Sequence, residues 1–491
     1  VLGSQLFAPK YLKEISPDYV YMAEDYGLCT HYKIHKHKII FFLAAMRTHA
    51  DRISEAGFNV CYQHFKKEND PYEKKLIKFC QENEVKKIVT FEIEDKPFEA
   101  RIKKSLTQVD IDLEILPSPM FIATRQRFRQ YLDSVKKPFM KTFYEQMRRE
   151  TKLLMDNSNK PLGGKYSFDS ENRKKLPKKV EIPADPPYVE SKHEADVKKV
   201  VDKFFADHPG DCESYWLGTS RANGLKALQR FVQEKLSGFG TYQDALSDRN
   251  DFLFHSVISP YLNCGLITPD EVIAKVVHNV SQDDLGDHYN SIEGFVRQVL
   301  GWREFVRGIY QNFSEEQEQK NFFAHKRKLN SSWYKGNTGI LPLDLAVRRA
   351  DRTGYAHHIE RLMVIGNMMV LCEIEPTEAH RWFMEMFIDS SEWVMGPNVY
   401  GMGIFSDGGM FATKPYICGA NYIRKMSDYP KGDWEQEMTA LYWRFVGKNM
   451  EYLSGNIRCK MITRIYEKFD SQKKKELNSI GDQVIRRITS D

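Results

Sequence analysis

The sequence predicts an α/β domain built on a parallel sheet, followed by an all-α domain. Three observations predict it. The N-terminal quarter alternates β-rich and helix-periodic segments. Positions 157–194 turn polar and rich in Lys and Pro. Beyond Ala195, nearly every segment is amphipathic at helical spacing.

The elements follow in order. Val1-Leu2-Gly3-Ser4 reads as the tail of a strand and lacks the charged start and apolar run of a signal peptide. Positions 18–22, 58–62, 87–91 and 113–116 read as strands. Positions 37–53 and 71–82 read as helices, the second opened by Pro71. This alternation implies a parallel sheet, yet no G-x-G-x-x-G follows the first strand. Pro161, Pro177, Pro183, Pro186 and Pro187 mark a long linker, ordered by the domains it joins. Helical patterns then fall at 224–235, 269–278, 292–310, 343–351, 357–372 and 376–388. Positions 396–420 carry Gly396, Gly401, Gly403, Gly408, Gly409 and Gly419 with Pro397 and Pro415. They predict an irregular, functional loop. The expected divisions are 1–130, 131–195 and 196–491.

Composition narrows the function classes. The net charge of +5, from 72 basic and 67 acidic residues, permits a local basic face without demanding a nucleic-acid partner. Aromatic residues make up 13%, enough for stacking surfaces as well as core. The eight cysteines are scattered without a C-x-x-C, which argues against a zinc ribbon or disulfide framework and for reduced thiols in the cytoplasm. No apolar run reaches membrane-spanning length.

Three motifs, in order across the helical half, carry a resemblance. They are Phe254-His255-Ser256-Val257-Ile258-Ser259-Pro260-Tyr261-Leu262, then Trp302-Arg303-Glu304-Phe305, then Lys414-Pro415-Tyr416 running to Asn421. Together they resemble the photolyase/cryptochrome superfamily. Met147-Arg148-Arg149, Gly163-Gly164-Lys165 and Tyr355-Ala356-His357-His358 are similar to its iron–sulfur bacterial cryptochromes and photolyases. The resemblance implies a Rossmann-like antenna domain and a helical FAD-binding domain. It implies a monomeric enzyme that reverses pyrimidine (6-4) photoproducts in UV-damaged DNA by light-driven electron transfer. A blue-light receptor and a cyclobutane-dimer photolyase are the alternatives. It also implies a 6,7-dimethyl-8-ribityllumazine antenna. A [4Fe–4S] cluster needs four thiolates, but Pro342, Pro430 and Asp433 stand where the subfamily places cysteines. No cluster and no other metal is therefore expected.

The resemblance also assigns residues. His255, Ser256, Val257, Ser259, Gln298 and Arg303 would hold FAD, hydroxyls and a guanidinium meeting its diphosphate. Ser256 also suits an N-cap and Arg303 a surface ion pair; the order of the motifs favours the cofactor. Met395 and Asn398 would face the flavin, Met395 replacing a frequent carboxylate. Trp382, Phe383 and Tyr334 would relay electrons, with Phe383 hard to oxidise. His358 would donate the proton that (6-4) repair needs, with His357 beside it. Tyr416, Lys165, Lys414 and Arg424 would meet lesion and DNA, with Arg173 and Lys425 as further rim cations. Ser4, Met22 and Glu24 would face the antenna.

Overall fold

A computed structural model describes residues 1–490 except 69, 186, 187, 279 and 282–284. Pro186 and Pro187 of the expected linker thus lie outside the described residues.

The four expected strands form at Val20–Ala23, Val60–Gln63, Lys87–Phe91 and Asp112–Leu116. They pair in parallel as two separate ribbons, the first with the second and the third with the fourth. The expected single sheet is thereby corrected. A cavity of about 790 Å³ lies between the ribbons and is faced by Val20, Tyr21, Ile88 and Thr90. Residues 1–4 form no strand. Gln5 ties this segment to the third strand instead: its amide donates to the Phe91 carbonyl (2.9 Å) and accepts from the Thr90 hydroxyl (3.1 Å).

The long helix Lys36–Glu55 starts at His35, whose imidazole nitrogen accepts from the His37 amide. A side-chain acceptor here satisfies one of the amides that a helix start leaves open. Ile39, Ile40, Leu43 and Ala44 then recur at helical spacing and are buried.

Among its described residues the linker carries the short turns Leu162–Gly164 and Asp169–Glu171, and Leu176 and Asn172 are buried and pin it to the protein. The helical half begins at Glu194–Phe204. The pattern expected over 292–310 becomes Tyr289–Val296, a widened stretch Arg297–Arg303, and Glu304–Glu318. Widened i→i+5 turns also occur at Phe231–Lys235, Glu360–Gly366 and Pro397–Gly403. Such turns insert one extra residue and cluster at functional sites. The last corrects the loop expected from 396: glycine count outweighed Pro397, which suits a helix's first turn. The irregular chain begins after Gly403. A short antiparallel pair, Lys328–Leu329 with Thr489–Ser490, interrupts the otherwise helical half.

Buried charges stitch the ribbons to the helices. The Glu304 carboxylate accepts from the Ile122 and Ala123 amides, each at 3.0 Å, and burial pushes its carboxyl up to about 7. Arg307 pairs with Glu92 (2.6 Å) and Glu94 (3.0 Å). Removing one partner of such a pair strands a buried charge and costs about 3–5 kcal/mol.

Candidate functional site

The widened turns open a cavity of about 830 Å³ in the helical half, within the range of small-molecule and cofactor sites. Arg297–Arg303 contributes Gln298, Trp302 and Arg303; Glu360–Gly366 contributes Leu362 and Met363; Pro397–Gly403 contributes Asn398 and Met402. Tyr416, Tyr422, Trp393 and Trp443 add aromatic faces.

Arg303 is the inner cation. Its guanidinium donates to the Met120 carbonyl at 2.5 Å and lies 4.4 Å from the Phe121 ring centre and 5.0 Å from that of Trp393. Its Nε is buried without a hydrogen-bond partner. Burial pulls its proton affinity down to about 10. A buried donor with an open hydrogen on a cavity wall calls for an acceptor. A bound phosphate or flavin oxygen supplies one, so the residues present fit FAD. Opposite it, Asp389 accepts from Ser259 (2.6 Å) and pairs with Arg361 (3.0 Å), and its carbonyl accepts from Asn263 (2.9 Å). This charge network joins residues 130 positions apart, and no motif announced it.

The expected flavin residues divide. Ser259, Gln298, Arg303 and Asn398 line the cavity. His255, Ser256 and Val257 line a neighbouring pocket of about 90 Å³ with Lys235 and Arg230. Val257 sits at φ 53°, a left-handed conformation costly for a β-branched residue and typical of functional strain. Met395 is buried in core and absent from the lining, whereas Asn398 donates to the Val394 carbonyl (2.8 Å).

The histidines separate by exposure. His358 lines the cavity with its side chain 47% exposed, 3.6 Å from Asp244. His357 is 1% exposed and stacks on His255, ring centres 4.6 Å apart at 10°. Burial holds both of these imidazoles well below the usual histidine range, and neither His357 nitrogen has a hydrogen-bond partner. Nitrogens of the three lie within 4.8 Å of one another, which among the described residues is where metal-ligating atoms converge.

Several other expectations fall away from the cavity. Trp382 donates to the Trp333 carbonyl (2.9 Å) and meets Phe383 edge-on at 5.5 Å, while Tyr334 donates to Glu385 (2.7 Å). None of the three expected relay residues lines it. Lys165 pairs with Glu171 (2.7 Å), Arg424 with Glu435 (3.5 Å) and Arg173 with Asp169. Tyr416, Lys414 and Arg173 line the mouth. Glu24 is buried, its carboxylate taken by Arg47 (2.6 Å), the Tyr62 hydroxyl (2.6 Å) and the Phe65 amide (2.7 Å). Met22 is fully buried and Ser4 partly so. Asp244, Arg361, Asp389 and Tyr422 were missed. A signal for Arg361 existed, since it falls three residues beyond His358 on the same helical run.

A (6-4) photolyase from Agrobacterium fabrum is 32% identical over 470 residues, covering 92% of this chain and 91% of that protein. The chain belongs to the photolyase/cryptochrome superfamily. Residues 1–216 match the deoxyribodipyrimidine photo-lyase-related protein family, and 295–434 match the FAD-binding domain of DNA photolyase. A deoxyribodipyrimidine photo-lyase from Alkalihalophilus pseudofirmus is 24% identical over 186 residues, 36% of each chain. The fold is shared with a bacterial class III photolyase from Agrobacterium tumefaciens (TM-score 0.56, 16% identity, covering 99% of this chain and 94% of that one). It is shared also with a cryptochrome from Synechocystis (TM-score 0.58, 13% identity, covering 99% and 97%). The superfamily thus holds here with its helical FAD-binding half and small parallel sheets. No helix among the described residues is long and apolar enough to cross a membrane.

Proposed function

We propose that this chain is a light-driven DNA-repair flavoenzyme that reverses pyrimidine (6-4) photoproducts in UV-damaged DNA. The observation that carries the reading is His358, solvent-reachable on the wall of the same cavity that holds Arg303 and the Ser259–Asp389–Arg361 network. Reduced FAD, when bound, supplies the electron on illumination. The protein's own part is positional and acid–base. Arg303 and Ser259 hold the cofactor from the inner wall. Tyr416 and Tyr422 offer faces on which an extruded base stacks. His358 gives up its proton as the hydroxyl moves between the two bases. Asp244, 3.6 Å from the His358 ring, sits where it can orient that imidazole.

The proposal includes a ribityl-lumazine antenna, on the subfamily resemblance alone, since Glu24 has no free carboxylate oxygen. It excludes a [4Fe–4S] cluster, supported by Pro342, Pro430 and Asp433 at the cysteine positions. The protein works as a cytoplasmic monomer. The test is an oligonucleotide with one (6-4) lesion, purified FAD-loaded protein, blue light and a dark control, with His358→Ala alongside. Light-dependent restoration that vanishes in the variant supports the reading. A reducible FAD with no turnover on this lesion overturns it. Turnover on cyclobutane dimers would then make it a photolyase for that lesion. Failure on both favours a receptor, a reading kept open by the fold shared with the Synechocystis cryptochrome.

A further inference from the structure

The short helix Lys460–Glu467 shows two faces. Ile462, Thr463 and Tyr466 turn inward, Thr463 buried and the other two packed on the core. Met461 and Ile465, four residues apart on the other face, are 73% and 40% exposed, and Ile457 just ahead is 80% exposed. Water-facing apolar residues in one stripe are costly and signal a partner. Their position adds more. Met461 and Ile465 form part of the wall of the cavity that carries His358 and Tyr416. Asn456 donates to the Thr413 carbonyl (3.2 Å), tying the turn before the helix to the loop that bears Lys414 and Tyr416.

Charge points to the partner. Arg458, Lys460, Arg464 and Lys468 are all exposed around this stripe. Among the described residues, no ion pair engages any of them. By contrast Lys165, Arg173 and Arg424 are all ion-paired. The Arg458 charge is close enough to act on the Tyr416 phenol. Free cations flanking an apolar ridge complement a duplex, whose phosphates want the cations and whose opened base step wants the ridge.

We infer that Lys460–Glu467 is the element that enters duplex DNA, Met461 and Ile465 filling the gap left by an extruded nucleotide while Arg458, Lys460, Arg464 and Lys468 hold the phosphates beside it. The inference rests on the DNA-repair reading and deepens it. An opened duplex collapses unless something replaces the lost stacking, so a ridge at the cavity mouth keeps the nucleotide inside. The eight-residue helix presents too small an apolar face to lie on a lipid surface.

The experiment compares wild type, Met461→Ser/Ile465→Ser and Arg458→Gln/Arg464→Gln on three probes. These are a (6-4) lesion in a duplex, the same lesion in a single strand, and anionic phosphatidylserine vesicles. All four positions are exposed, so folding is not at stake; FAD absorbance checks it. The apolar variant is expected to bind the duplex lesion about tenfold more weakly and to lose much less affinity for the single strand. The cationic variant is expected to lower the salt dependence of duplex binding by about two counterions. Equal loss on duplex and single strand, or none on either, overturns the inference. So does vesicle binding by the wild type that the apolar variant loses while its duplex binding stands. Wild-type repair of the single strand tests the repair reading separately. If that fails while duplex binding still depends on Met461 and Ile465, the helix assignment survives and the repair reading does not.

Discussion

Protonating His35 should unlock the long N-terminal helix. Its Nε2 hydrogen donates to the Asp351 carbonyl (2.7 Å), so its Nδ1 carries the lone pair that accepts from the His37 amide (3.1 Å). A second proton can go only on Nδ1, where it abolishes the cap. Both rings are fully buried, and burial pulls His35 down to about 3 and His37 to about 4. With folded values depressed below the unfolded 6.5, the stabilisation is complete above pH 6.5 and is lost as pH falls toward the folded values. Between pH 7 and 5 each imidazole forfeits about 2 kcal/mol. The pair together forfeits about 4 kcal/mol, a large fraction of a domain's usual 5–15. Urea unfolding at pH 7, 6 and 5 measures this. His35→Asn keeps a cap acceptor but cannot titrate, so it should start less stable at pH 7 yet lose about 2 kcal/mol less on acidification. Equal acid losses in wild type and variant would refute the argument.

Other outcomes follow from single contacts. Arg303→Ala removes the buried donor on the cavity wall, and the purified protein should lose at least about 90% of its bound FAD absorbance. Gly308→Ala places a Cβ 2.2 Å from the Phe128 ring, and thermal melting should show about 1–3 kcal/mol of destabilisation. Glu24→Ala leaves Arg47 buried without its partner and should cost about 3–5 kcal/mol in urea unfolding. Phe383→Tyr puts an oxidisable ring 5.5 Å from Trp382 and should speed FAD photoreduction if that pair serves the flavin; an unchanged rate would remove it from the path.

Local patterns were legible and distant pairings were not. The strand at Lys87–Phe91 was read residue for residue, and the helix at Tyr72–Glu82 to within one position, because alternation and periodicity report burial directly. Ser259 and Arg303 were legible through motifs. The Asp389–Arg361–Ser259 network was not, because its members meet only after the chain folds back. The partners of Glu24 were hidden for the same reason. A carboxylate at a strand end looks available until Arg47, from the long helix Lys36–Glu55, closes over it. The ribbons stayed apart, although the strands themselves were foreseen, because strand periodicity carries no information about which edge each strand will meet.

The widened turns have a consequence for how this protein tolerates change. Losing one residue from a buried α-helix normally rotates everything beyond it by about 100°. A helix that already carries a surplus residue can shed it and come back into ordinary register. Shortening Arg297–Arg303 by one position would therefore leave the backbone a regular helix to relax into, while swinging Gln298 and Arg303 out of alignment with each other across the cavity. Foldedness and cofactor chemistry are thus written in different registers of the same segment, and a single codon's deletion is enough to separate them.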